Sequence, residues 1–102
     1  MEKLYTTTRF RVVNGWLEVE NSDDNFSTRS ITHIKLERIS HLTREGPFGD
    51  YDSNNECITV WNVYINTIRA SEGRFIRHVI GFVFKNEREA ETFLMGVNNQ
   101  LY

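Results

Sequence analysis

The chain has 102 residues and a mass of 12.1 kDa, enough for one domain with one modest core. Val, Ile and Thr number 25 against 8 Ala and Leu, a balance that favours pleated sheet over helix. A formal net charge of -2 and a sequence pI near 5.9 argue against bulk nucleic acid or an anionic membrane surface as the main partner, because both call for a basic excess.

In chain order, Met1 to Thr8 has neither the basic start nor the apolar stretch of a secretory signal, so export is not expected. The first clear element is a hairpin. Arg9-Phe10-Arg11-Val12-Val13 and Trp16-Leu17-Glu18-Val19-Glu20 flank Asn14-Gly15, a pair that supplies the two positive φ angles of a type I′ turn. The register follows from the turn: Val13 faces Trp16, Val12 faces Leu17, Arg11 faces Glu18, Phe10 faces Val19 and Arg9 faces Glu20. Apolar pairs then alternate with opposite-charge pairs, and a slip by one residue would put arginines in the core.

Asn21 to Asn25 reads as a polar loop and Phe26 to Ile34 as a third strand, interrupted by Leu36 to Arg38. Ile39 to Arg44 resumes an extended segment, and Glu45 to about Glu56 reads as a long loop holding Pro47, the only proline. Cys57 to Ile68 and Phe75 to Lys85 are two long β-type runs joined by Arg69 to Arg74, expected to pair as the longest hairpin. The end of the chain is helical. Asn86 is a good N-cap, Glu89 follows three residues later, and Ala90, Phe93, Leu94, Val97 and Leu101 recur on one face of about four turns. A helix that short must pack its stripe on the sheet to be stable.

Antiparallel strands closed by one C-terminal helix resemble the pleckstrin-homology-like superfold. Ile34-Lys35-Leu36-Glu37-Arg38-Ile39-Ser40-His41-Leu42 looks like the strand-to-corner pattern of bacterial PH and GRAM-like domains, with Lys35 where those domains usually carry proline. The hairpin Phe10 to Val19 resembles their opening strands, and Phe84 to Leu94 their final strand and capping helix. The resemblance implies a single PH-like domain over 1–102, mostly β (α+β), with strands over about 8–85 and a helix over about 87–101. Its antiparallel strands would form a partly open barrel or sandwich capped by the helix and used as a binding scaffold. Fold alone does not fix function.

Cys57 is the only cysteine, which excludes an intramolecular disulfide and a cysteine metal cage and suits a reducing, cytoplasmic setting. The longest nearly apolar run, Val79 to Phe84, is far below the roughly 20 residues that span a bilayer. Asn25-Phe26-Ser27 matches a glycosylation acceptor by pattern only. Asp50-Tyr51-Asp52-Ser53-Asn54 opens like a calcium loop, but Asn55 and Trp61 occupy the positions of its glycine and its bidentate glutamate. His33, His41 and His78 form no metal-ligand spacing, and His78 has the strand parity of a core residue. Ser40 and His41 are neighbours in a strand and should point to opposite faces, which argues against a nucleophile–base pair. No cofactor, metal or catalytic site is indicated, and the chain reads as non-enzymatic.

PH domains that bind phosphoinositides grip phosphates with basic residues at the first hairpin, as the resemblance has it. Here Arg9 and Arg11 each face a glutamate, so lipid binding is disfavoured. Arg69, Arg74 and Arg77 at the late hairpin are candidates for an anion. The late hairpin also carries apolar residues on both faces, although an antiparallel sheet with one wet face should alternate cleanly. Either the loop Glu45 to Glu56, with Phe48 and Tyr51, folds across the second face, or another chain does. The candidate surface is Trp61, Val63, Ile65, Phe75, Val79 and Val83, for a protein partner or a homo-oligomer. The resulting expectation is a PH-like protein-interaction module acting with or without self-association. Its rivals are a stand-alone phage or bacterial inhibitor or immunity-type protein, and a ligand-binding or hydrolytic barrel using His78, Tyr64 and the acidic loop.

Overall fold

The computed structural model describes residues 4–22, 29–51 and 54–101. Six strands come first: β1 (Leu4–Val13), β2 (Trp16–Ser22), β3 (Arg29–Lys35), β4 (Ile39–Tyr51), β5 (Cys57–Ser71) and β6 (Arg74–Phe84). A 3-10 turn (Leu36–Arg38) separates β3 from β4, and a single helix, α1 (Glu87–Leu101), ends the chain. The strand order is β3-β2-β1-β6-β5-β4, two antiparallel three-stranded meanders joined by a parallel pairing of Leu4–Thr6 with Gly81–Val83. β3 and β4 lie at the two ends of this order, so the sheet is open, and α1 packs on one of its faces, here called concave, the opposite face being called convex.

The first hairpin has the register that Asn14-Gly15 demands. Val13 pairs with Trp16 and Arg9 with Glu20, and Asn14 and Gly15 have φ of 50° and 81°. Arg9 is ion-paired with Glu20 and Arg11 with Glu18. β1 begins at Leu4, earlier than the expected start near residue 8. Thr6 and Thr7 extend the pairing with β2, but the partner of Leu4 and Tyr5 is β6, far along the chain and invisible to local pattern. The third strand is described only from Arg29. The expected start at Phe26, and the Asn25-Phe26-Ser27 match, lie outside the described residues.

Two expectations in the second meander are corrected. Glu45 to Tyr51 is not loop. β4 continues to Tyr51, with Phe48 opposite Val60 and Tyr51 opposite Cys57, and an irregularity between Glu45 and Phe48 takes up Gly46-Pro47. Proline is tolerated because β4 is an edge, where a missing N–H leaves no ladder partner unbonded. Of the stretch that opens like a calcium loop, Asp50 and Tyr51 are strand residues, and Asp52 and Ser53 lie outside the described residues.

The second correction concerns the connection Arg69 to Arg74. Ser71 pairs with Arg74, leaving only Glu72-Gly73 at the turn, with φ of 51° and 75°. This is a second two-residue turn of the type I′ kind, with glycine at the second left-handed position. The hairpin extends an elongated molecule of 47 × 26 × 25 Å.

The helix has its expected span. Asn86 caps it, its Oδ1 accepting from the Arg88 N–H at 2.8 Å and the Glu89 N–H at 3.4 Å. Ala90, Phe93 and Val97 are buried, with Leu94 and Leu101 half-buried beside them. They pack on Leu17, Val19 and Ile34 of the first meander and on Val63, Ile65, Phe82 and Phe84 of the second. Gly96 lets the helix approach β1, since a Cβ there would sit 3.0 Å from the Phe10 ring. Arg44 of β4 reaches over the helix to Glu91 at 2.6 Å and Glu87 at 3.5 Å.

Candidate functional site

The register of the late hairpin assigns its residues to faces, because directly opposed residues in an antiparallel pair share one. Trp61 opposes Phe84, Val63 opposes Phe82 and Ile65 opposes Ile80, and this is the concave face against which α1 packs. Asn62 opposes Val83, Tyr64 opposes Gly81, Asn66 opposes Val79, Ile68 opposes Arg77 and Ala70 opposes Phe75 on the convex face. The six residues expected to form one partner surface are therefore divided. Val63 and Ile65 are completely buried and Trp61 packs against the core. Phe75, Val79 and Val83 remain together on the other side.

The cover for the concave face is thus α1 and the first meander. Glu45 to Tyr51 does not fold across either face, because it is in the sheet, and Asp52 and Ser53 lie outside the described residues. On the convex face Phe75 is 77% exposed, and Tyr64, Ile68, Val79 and Val83 are half-buried. Asn62, also on this face, is buried. Its Nδ2 donates to the Tyr64 hydroxyl at 3.2 Å, and its Oδ1 has no partner among the described residues. The contribution of Tyr64 and Ile68 could have been found earlier by taking Glu72-Gly73 as a two-residue turn and counting back from it.

The arginine cluster divides in the same way. Arg69 and Arg74 fall on the concave side and Arg77, opposite Ile68, on the convex side. His78 has the parity of a concave residue, opposite Thr67, but it is exposed, because the strand there has run past the core cluster, which ends at Ile80. The expected core placement of His78 is therefore wrong. His78, Tyr64 and the acidic segment do not meet: Tyr64 is on the other face, and Asp50 lies opposite Ile58 near the start of β5.

Ser40 and His41 also differ from expectation. Ser40 Oγ and His41 Nδ1 are 3.1 Å apart, in hydrogen-bond contact. Ile39 pairs with Thr67 and His41 with Asn66, so Ser40 is the extra residue of a bulge, and a bulge breaks the alternation that would separate neighbouring side chains. The pair is solvent-exposed, and no carboxylate orients the imidazole among the described residues. A nucleophile–base function requires such an orienting group and a sheltered site.

No family model, curated protein or solved structure matches the chain. Among the described residues no three His, Cys, Asp or Glu side chains are placed to hold a metal ion, Cys57 is free and exposed, and no helix is long and apolar enough to cross a membrane.

Proposed function

We propose that this chain is a non-enzymatic interaction module of PH-like fold that docks a protein partner on the convex face of the β5–β6 hairpin. The observation that carries the reading is Phe75, an aromatic side chain 77% exposed at the head of a face continued by Ile68, Val79 and Val83. Aromatic anchors dominate interface energetics, and a large apolar side chain left in water with apolar neighbours is an aggregation hazard unless a partner covers it. The strand-then-helix order and the open curl of the sheet support the PH-like scaffold. A cytoplasmic setting accords with the lone free thiol of Cys57.

The isolated chain offers one partner that can be tested at once, a second copy of itself. Sedimentation equilibrium over a concentration series should show reversible self-association of the native chain. Phe75→Asp should abolish it without lowering the melting temperature, since Phe75 contributes little to the core. Monomers at every concentration for both proteins would remove self-association from the proposal. The same result, together with identical partners captured from the host by both proteins, would remove the convex face altogether.

A further inference from the structure

A cleft of about 270 Å³ opens beyond the helix, between the edge strand β3, the 3-10 turn and the β5–β6 hairpin. Its apolar lining is Ile34, Ile68, Ile76 and Ile80, and Ile34 and Ile80 belong to or pack against the central cluster, so the floor is continuous with the core. Arg38 and Arg69 stand at this cleft with His33 and His78. Among the described residues no carboxylate lines it. Glu18 is engaged by Arg11 and, at 3.7 Å, by His33, and Glu37 by Lys35 at 3.7 Å. Neither Arg38 nor Arg69 has an ion-pair partner among the described residues, in a chain whose formal net charge is -2.

Two guanidinium groups without counter-charges beside wet isoleucine surface set opposite requirements. A purely apolar ligand would leave the guanidinium groups unpaired, and a purely ionic one would leave Ile76 and the half-buried Ile68 and Ile80 partly in water. A molecule with an acidic head on a short apolar body meets both, since guanidinium binds carboxylate or phosphate in a fork while the floor removes apolar area from water. The volume falls just below the roughly 300–1,000 Å³ of ordinary small-molecule sites, which favours a compact ligand. We propose that this cleft binds a small soluble anionic amphiphile, a carboxylate or phosphate monoester carried on a short aliphatic or aromatic body. The site does not include Phe75, Val79 or Val83, and Ile68 is the one residue of the convex face that also lines it.

Amide-shift titration of the full chain with octanoate and with octyl phosphate tests this, with octanol and octylammonium as controls. Both anions should give saturable shifts confined to β3, the 3-10 turn and residues 67–80, and octanol and octylammonium should bind about tenfold more weakly or not at all. The double variant Arg38→Gln/Arg69→Gln should lose about tenfold in affinity for the anions. Arg77→Gln, on the opposite face, should bind as the native chain does. Comparable affinity for octanol or octylammonium, unchanged anion binding by the double variant in its folded state, or the absence of saturable shifts would overturn the proposal. If the double variant fails to fold, Arg38→Gln and Arg69→Gln are read singly against the same criterion. Cosedimentation with phosphatidylserine-containing vesicles in place of binding to the monomeric probes would overturn the commitment to a soluble ligand. None of these outcomes touches self-association through Phe75, so the two proposals fail separately.

Discussion

Phe10 and Phe93 meet edge to face, their ring centroids 4.8 Å apart and their planes at 77°. This contact ties the first strand to the last element of the chain. Phe93 also lies 5.7 Å from the Phe82 ring and 5.3 Å from the Phe84 ring, so one helical side chain joins both meanders. Phe93→Ala should therefore cost about 3–5 kcal/mol, the range for truncating a buried phenylalanine. Urea unfolding should show a loss of unfolding free energy of that size, and Phe93→Leu should recover part of it by refilling the cavity.

The second hairpin turn contains a residue poorly suited to its backbone. Glu72 has φ of 51°, a left-handed conformation that costs a non-glycine residue about 1–2 kcal/mol and that asparagine adopts more readily. Glu72→Asn should raise the thermal midpoint, reproducing in this turn the Asn-Gly pair of the first. A lowered midpoint would mean that the carboxylate makes a contact worth more than the strain.

Asn62 is buried without full satisfaction, its Oδ1 lacking a donor among the described residues. Removing both the amide and its unpaired acceptor leaves Tyr64, half-buried and within reach of water, to replace one 3.2 Å hydrogen bond. A buried unsatisfied group costs about 1–3 kcal/mol, whereas the lost bond is worth about 0.5–1.5 kcal/mol. Asn62→Val, a good strand former, should thus be neutral to stabilising by about 1 kcal/mol in urea unfolding. A loss of more than about 1 kcal/mol would show that the amide has a structural role that its contacts do not convey.

Local signals were legible where one short segment decides the outcome. Asn14-Gly15 set the first register down to the Arg9–Glu20 and Arg11–Glu18 pairs, and Asn86 with the Ala90–Leu101 stripe set the helix. Readings that depend on a distant neighbour fared worse. The start of β1 awaits β6, and Gly46-Pro47 looked like loop because its place on an edge strand depends on the sheet order. The candidate surface was misdrawn for a related reason. Arg69-Ala70-Ser71 looked like a loop, so the registry of β5 with β6 was not fixed from their turn, and residues from both faces were grouped together. Ser40 and His41 were separated by an alternation that the bulge suspends.

The most direct test of the convex face is comparative capture from the native host, using the native chain, Phe75→Asp and Met95→Asp. Met95 is a matched control, 58% exposed on α1 and away from the β5–β6 convex face. Protein captured by the native chain and by Met95→Asp, and lost with Phe75→Asp at unchanged melting temperature, is the predicted result. An identical captured set for all three proteins would contradict it.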